Sequence, residues 1–99
     1  MAQIKVVWDS QASFSFKRQI IKISKDSIQS AEKVRIEILE IIDNLVENPF
    51  MFPPDKYKID NDGNYRAFEK YSLRIAYLGS SDSVRVLRVR HVKQEPRMY

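Results

Sequence analysis

The last third of the chain carries side chains that suit work on a phosphate group. A guanidinium is permanently charged and binds phosphate oxygens through paired hydrogen bonds, while histidine and tyrosine can transfer protons. Four of its arginines, Arg66, Arg74, Arg88 and Arg90, are candidates for phosphate contacts on a sheet face, and the proton-transfer candidates are His91 and Tyr99. Together these residue types suit binding of an RNA backbone or stabilisation of the charge on a phosphoryl group.

The neighbouring residues predict that the arginines share one face of a sheet. Because alternate side chains of a strand point to opposite faces, Arg74 lies opposite Leu73 and Ile75. Arg88 and Arg90 likewise lie opposite the apolar residues of the last strand. We therefore expect a row of guanidinium groups on the sheet face that helices do not cover. The alternative is an ordinary solvated face, since antiparallel sheets commonly leave one side in water.

The proton-transfer candidates lie at the end of the last strand and in the tail. Alternation places His91 on the core-facing side of its strand, which favours a partly buried structural role over proton transfer. Strand ends often bulge, so both roles of His91 stay open. Tyr99 follows two tail cations, Lys93 and Arg97, and its phenol suits stacking on a base or transfer of a proton.

The positive charge is concentrated in the same third of the chain. Residues 1–65 hold 9 Lys/Arg and 10 Asp/Glu, a balance of −1, whereas residues 66–99 hold 8 against 3, a balance of +5. A local positive field suits an anionic partner, such as nucleic acid or an acidic protein segment.

The composition predicts one soluble, cytoplasmic domain without a cofactor. Ninety-nine residues, 43% of them apolar, leave no room for a second domain. The absence of cysteine excludes thiolate metal sites and cysteine nucleophiles, and a single histidine cannot build an imidazole zinc site alone, so we expect no metal. No apolar run approaches the roughly 20 residues of a membrane span, and the N-terminus lacks signal-peptide features.

Apolar spacing predicts an α+β fold in the order strand, helix, helix, strand, strand, strand. Steps of three and four from Ala12 to Ile23 indicate one helix, and a longer stripe from Ile28 to Leu45 indicates a second. Consecutive strands with short loops pair antiparallel, so the helical hairpin should pack on one face of a single twisted sheet. The predicted strands span residues 4–8, 65–68, 73–78 and 84–91.

Several segments share their order and spacing with one family of proteins. They are the opening strand, Ala12 at the helix start, Leu45-Val46-Glu47-Asn48-Pro49, Tyr65-Arg66, Leu73-Arg74-Ile75-Ala76-Tyr77 and Val86-Leu87-Arg88-Val89-Arg90-His91. Through them nearly the whole chain resembles the RelE/ParE toxin superfamily. The fold that this resemblance implies, a two-helix hairpin on an antiparallel sheet, agrees with the apolar periodicity.

The resemblance implies a toxin of a bacterial type II toxin–antitoxin pair, neutralised by a cognate antitoxin whose flexible segment wraps it. RelE-like members are ribosome-dependent endoribonucleases that cleave mRNA, whereas ParE-like members bind DNA gyrase and lack nuclease activity. We predict the endoribonuclease, with ribosome and mRNA as partners. Non-enzymatic inhibition of DNA gyrase is the alternative.

The nuclease branch implies roles for individual residues. Arg74 matches its strand arginine, and Tyr99 matches its catalytic C-terminal tyrosine. Lys93 matches a basic residue beyond the last strand, Arg66 matches a lysine, and the second lysine of that strand falls at Phe68. The predicted catalytic residues are Arg74, Tyr99 and His91, and the predicted phosphate-binding residues are Arg66, Arg88, Arg90, Lys93 and Arg97.

Other features of the chain resemble the gyrase-binding branch of the superfamily. The segment Leu87-Arg88-Val89-Arg90-His91 resembles its last strand, and the long helical hairpin is in keeping with it, while the tail with Pro96 and Tyr99 resembles the nuclease branch. The nearest carboxylates, Glu69 and Glu95, are expected in solvated salt bridges. No general base is therefore identified.

Overall fold

Two helices and four strands make up the described part of the chain, residues 5–94 and 96–99 of a computed structural model. The helices are α1 (Ser10–Asp26) and α2 (Ile28–Asn44). The strands are β1 (Lys5–Trp8), β2 (Tyr65–Lys70), β3 (Leu73–Gly79) and β4 (Ser83–His91). Ile4, predicted to begin the first strand, and Glu95, predicted to form a salt bridge, lie outside the described residues.

Ser27 joins the two helices and caps both of them. Its N–H donates to the carbonyl of Ile23 (3.0 Å), and its hydroxyl accepts a hydrogen bond from the N–H of Ser30 (3.1 Å). Capping side chains satisfy N–H groups that a helix start leaves without partners. At the start of α1 the carboxylate of Asp9 instead bonds to Arg85 of β4, so this end is tied to the sheet.

The strands form one sheet in the order β1-β4-β3-β2. β2, β3 and β4 pair antiparallel, as predicted. β1 pairs parallel with β4, and this pairing runs only from Ser83 to Val86 of β4. The sheet is therefore mixed, with β1 and β2 at its edges.

A β-bulge at Leu87 decides which way the second half of β4 faces. Leu87 has no partner in β3, because the register shifts at this point. Both Val86 and Val89 are therefore buried, although they are three residues apart. Arg88 and Arg90 face the opposite side of the sheet, as predicted.

The core lies between the helical hairpin and one face of the sheet. Phe16 and Ile38 come from the two helices, and Tyr77 and Val86 come from the two central strands. The Tyr77 hydroxyl donates to the carbonyl of Pro49 (2.7 Å), so this fully buried phenol has a hydrogen-bond partner.

The predicted α+β layout is confirmed, with both helices and all four strands in the expected order. Within residues 5–94 and 96–99, neither helix has the length and apolar character needed to cross a membrane. The same residues contain no cluster of three or more His, Cys, Asp and Glu side chains arranged to hold a metal ion.

Candidate functional site

Asp55 lies in the connection between α2 and β2 and is a buried charged residue, only 3% exposed. Its N–H donates to the carbonyl of Tyr65 (2.8 Å), and Pro54 forms an antiparallel bridge with Arg66. The side-chain amide of Asn61 donates to the carbonyls of both Asp55 (3.2 Å) and Tyr65 (2.8 Å). These bonds hold the Asp55 carboxylate beside the sheet face that the helices leave uncovered.

Three groups from separate parts of the chain donate hydrogen bonds to the Asp55 carboxylate. Nη2 of Arg74 lies 2.7 Å from Oδ1, the hydroxyl of Tyr99 lies 2.7 Å from Oδ2, and the N–H of Tyr57 lies 3.1 Å from Oδ1. Nη1 of Arg74 also lies 2.9 Å from Glu69. Two carboxylates therefore balance the charge of Arg74. Its side chain is 11% exposed, so this charge is also largely shielded from water.

The C-terminal tail is held beside residues 57–59. The N–H of Tyr99 donates to the carbonyl of Tyr57 (3.0 Å), and the N–H of Ile59 donates to the carbonyl of Tyr99. Nζ of Lys58 also lies 3.4 Å from that Tyr99 carbonyl oxygen. This short pairing places the last side chain of the sequence on Asp55.

Aromatic rings contact the cations of this region. The centre of the Tyr57 ring lies 4.9 Å from the guanidinium group of Arg74 and 5.1 Å from that of Arg90, and the centre of the Tyr99 ring lies 4.5 Å from that of Arg88. Ring faces attract cations through the charge distribution of the ring. The arginine row lies on the face that the helices do not cover, as predicted, and the tail and the connection between α2 and β2 cover part of it.

The surroundings make Asp55 a stronger acid and Tyr99 a weaker one. Burial by itself raises the pKa of Asp55, but the hydrogen bonds from Arg74, Tyr99 and the Tyr57 N–H outweigh it and hold this pKa below its ordinary value. Burial, followed by the hydrogen bond to Asp55, raises the pKa of Tyr99 well above that of a free phenol. At neutral pH the pair is a carboxylate and a neutral phenol.

The structure brings together four of the predicted site residues. Arg74 and Tyr99 both contact Asp55, while Arg88 contacts the Tyr99 ring and Arg90 contacts the Tyr57 ring. The Asp55 carboxylate is therefore the centre of the cluster, although no sequence pattern predicts it.

Three other predicted residues make different contacts. Nδ1 of His91 accepts a hydrogen bond from the N–H of Lys93 (3.1 Å), in the turn that follows β4. The Arg66 guanidinium donates to the carbonyls of Gly63 (2.9 Å) and Phe52 (2.8 Å). Arg66 thus stabilises the connection between α2 and β2. These hydrogen bonds do not join it to Arg74, Arg88 or Arg90.

Arg88, Arg90 and Arg97 line a groove of about 1090 Å³ between the tail, β4 and α1. We call it the β4 groove. The α1 side of the groove carries Arg18 and Lys22, two cations that are not among the predicted site residues. Cations thus come from three separate elements.

Sequence reasoning misses Asp55 because no local pattern marks it. It lies in a proline-containing connection without apolar periodicity, and its partners Arg74 and Tyr99 are 19 and 44 residues away. A largely buried arginine requires a carboxylate partner, but that requirement cannot choose among 13 Asp and Glu residues. Tyr57 is missed for the same reason.

Comparison with known proteins gives one family and several similar folds. The family model described as ParE toxin of type II toxin–antitoxin system matches residues 6–96. A chain of the chromosomal ParDE system from P. aeruginosa is similar with a TM-score of 0.68 at 12% identity, covering 90% of this chain and 96% of that one. No curated protein sequence matches.

Two further solved structures share the fold. The YoeB/ParE toxin from Agrobacterium tumefaciens has a TM-score of 0.56 at 20% identity, covering 89% of this chain and 98% of that chain. A chain of the RelBE2 toxin–antitoxin complex from Mycobacterium tuberculosis has a TM-score of 0.54 at 15% identity, covering 92% and 93%. At these identities the likeness concerns the fold.

Proposed function

Because the chain belongs to the ParE toxin family of type II toxin–antitoxin systems, we propose that it is a toxin that binds and inhibits DNA gyrase without cutting RNA. One observation carries the proposal: Arg74 and Tyr99, which a RelE-like nuclease would need, are both bound to Asp55. A cognate antitoxin is the second proposed partner. In its support, the similar chain from P. aeruginosa is part of a ParDE system and the one from M. tuberculosis is in a toxin–antitoxin complex.

The ion pairs of Arg74 oppose a catalytic role on phosphate. Its guanidinium would have to leave the buried carboxylate of Asp55 before it could balance the charge of a scissile phosphate. Separating the partners of a buried ion pair costs about 3–5 kcal/mol, which corresponds to roughly two to four powers of ten in rate. Preorganised catalytic groups have no such cost at the moment of reaction.

The hydrogen bond of Tyr99 opposes a role in proton transfer. A general acid or base works best when its pKa lies near the working pH, and the pKa of Tyr99 is raised by burial and by its bond to Asp55. The phenolic proton also points at Asp55, so it is already engaged inside the protein. Tyr99 therefore fits a role in holding the tail.

A ribosome-dependent endoribonuclease is the second candidate, favoured by the cations of the β4 groove. Arg88, Arg90 and Arg97 lie along one side of the groove, and Arg18 and Lys22 lie along the other. Such a surface suits an RNA backbone. Phosphate contacts position a nucleic acid but do not cleave it, so the groove supports RNA binding more than RNA cleavage.

The deciding experiment compares both activities of the purified protein. We expect it to inhibit ATP-dependent supercoiling by DNA gyrase and to leave a defined mRNA intact on translating ribosomes. Tyr99→Phe removes the hydroxyl and keeps the ring, and we expect this variant to inhibit gyrase as the wild type does at a temperature where both are folded. Tyr65→Phe is the matched control, since its ring adjoins Tyr99 at 6.5 Å.

The opposite pattern would overturn the proposal. Ribosome-dependent cuts in the mRNA that disappear in Tyr99→Phe and persist in Tyr65→Phe would assign Tyr99 to catalysis. The endoribonuclease would then be the function, and the bond between Tyr99 and Asp55 would have to open when the protein binds the ribosome.

A further inference from the structure

Two large apolar side chains of α1 lie in water, on the side of the helix turned away from the core. Phe14 and Ile21 are 60% and 57% exposed, whereas Ala12 and Phe16 of the same helix are buried. At 3.6 residues per turn, a separation of seven residues places Phe14 and Ile21 on one side of the helix, roughly 10 Å apart along its axis. They therefore form a pair, unlike the single exposed apolar residues that most protein surfaces carry.

Cations surround this apolar pair. Lys17 and Arg18 lie between Phe14 and Ile21 along the helix, one to either side of the line that joins them, and Lys25 lies one turn beyond Ile21. All three cations are exposed. We call these five residues the α1 stripe, which spans about 17 Å of the helix.

The positive charge of the α1 stripe is not balanced by ion pairs within the described residues. The salt bridges of these residues do not involve Lys17, Arg18 or Lys25. Asp26 is the single carboxylate among the 17 residues of α1, and the Arg18 guanidinium instead lies 5.7 Å from the centre of the Phe14 ring. Long basic side chains can lie along an apolar surface while their charged ends reach an anion. The stripe therefore offers apolar contact and positive charge on the same surface.

We propose that the α1 stripe binds the surface of an anionic lipid bilayer, with α1 lying parallel to that surface. In the bound state Phe14 and Ile21 enter the boundary between headgroups and acyl chains, and the three cations contact lipid phosphates. Helices that combine an apolar side with basic residues bind membranes in this orientation, without crossing them. Each cation close to an anionic bilayer strengthens binding by about fivefold.

The composition of the α1 stripe favours a bilayer over two other occupants. If two copies of this chain paired stripe to stripe, like charges would lie opposite each other across the interface. A nucleic acid backbone would pair with the cations but would leave Phe14 and Ile21 against charged phosphates. An anionic bilayer suits both kinds of side chain. The proposal does not rest on the proposed function, because its contacts involve neither gyrase nor an antitoxin.

The test measures binding of the full chain to lipid vesicles by sedimentation. The vesicles consist either of phosphatidylcholine alone or of an equal mixture of phosphatidylcholine and phosphatidylglycerol. We expect the wild type to bind the mixed vesicles at least about tenfold more tightly than the neutral ones, because only the mixed vesicles attract the cations.

Serine substitutions test the apolar pair. The stripe variant carries Phe14→Ser and Ile21→Ser, and the control carries Ile28→Ser and Ile36→Ser, which replace apolar residues that are 74% and 45% exposed outside the stripe. We expect the stripe variant to bind mixed vesicles at least about tenfold more weakly than the wild type, because it loses two apolar side chains that leave water on binding. The control should bind as the wild type does.

A tryptophan reporter separates insertion from adsorption by charge alone. In Phe14→Trp the fluorescence emission should shift to shorter wavelength when mixed vesicles are added, because the new ring leaves water. Ile36→Trp, on α2, should show no such shift, and both variants keep Trp8 as a common background. Three results would each overturn the proposal. They are absence of binding to mixed vesicles, equal weakening in the two serine variants, and unchanged emission of F14W, and the first would leave an acidic protein surface as the occupant.

Discussion

The Asp55 carboxylate links three parts of the chain through charge-assisted hydrogen bonds. Arg74 comes from the third strand, Tyr99 from the tail and the Tyr57 N–H from the loop beside it. Hydrogen bonds to an ionised group are stronger than those between neutral groups, and a buried charge that loses its partner is costly. We therefore expect Asp55 to contribute mainly to the stability of the fold.

We predict that Asp55→Asn lowers the free energy of unfolding by about 3 kcal/mol. In this variant the largely buried charge of Arg74 has one carboxylate partner fewer. Urea denaturation at neutral pH measures the change. Glu69→Gln is the matched control: its side chain is 52% exposed, so its ion pair with Arg74 should contribute less than about 1 kcal/mol. Equal losses in the two variants would contradict the prediction.

The pH dependence of stability checks the same ion pair. The folded-state pKa of Asp55 lies below its unfolded value of about 3.9, so its stabilisation is complete above that pH and is lost as the pH falls through the folded-state pKa. We expect the difference in unfolding free energy between wild type and Asp55→Asn to shrink as the solution is acidified below about pH 4. A constant difference would show that the lost stability is not electrostatic.

At the scale of elements, the turn between β2 and β3 stores backbone strain. Lys70 pairs with Leu73, which leaves Tyr71 and Ser72 as a two-residue turn with φ values of 52° and 65°. Two positive φ values are typical of a type I′ hairpin turn, which favours asparagine and glycine. Tyr71 makes a contact that glycine or asparagine could not make at this position: its hydroxyl donates a hydrogen bond to Glu37 of α2 (2.6 Å).

We therefore predict that Ser72→Gly raises the free energy of unfolding by about 1 kcal/mol, because glycine adopts positive φ without steric cost. Thermal denaturation measures the effect. Ser81→Gly, in the turn between β3 and β4, is the control. Ser81 has no positive φ, so glycine there should be neutral or slightly destabilising. Equal shifts in both variants would contradict relief of positive-φ strain at Ser72 as the source of the gain in stability.

For the whole molecule, the mixed sheet predicts an order of local stabilities. β3 has a paired strand on each side and contains the fully buried Ile75 and Tyr77, whereas β1 is a four-residue edge strand. Backbone amides exchange most slowly where opening requires disruption of the core. Native-state hydrogen exchange should therefore show the slowest amides in β3 and clearly faster ones in β1. Equal protection of the two strands would contradict the sheet order as the basis of stability.

The sequence by itself determined the elements and their order, because these depend on neighbouring residues. Apolar side chains at steps of three and four specify a helix, and alternating ones specify a strand, whatever packs against them. α1, α2 and the three later strands thus lie within a few residues of their predicted bounds. The outward direction of Arg74 also follows from its buried neighbours, Leu73 and Ile75.

Tertiary structure alone decided what those elements bring together. The pairing of Asp55 with Tyr99 joins residues 44 positions apart, and the parallel pairing of β1 with β4 joins the two ends of the domain. The β4 groove exists because β1 stops at Trp8 while β4 continues, which depends on the register of two distant strands. Such contacts follow from the packing of the whole chain, and packing leaves no signature in the spacing of neighbouring residues.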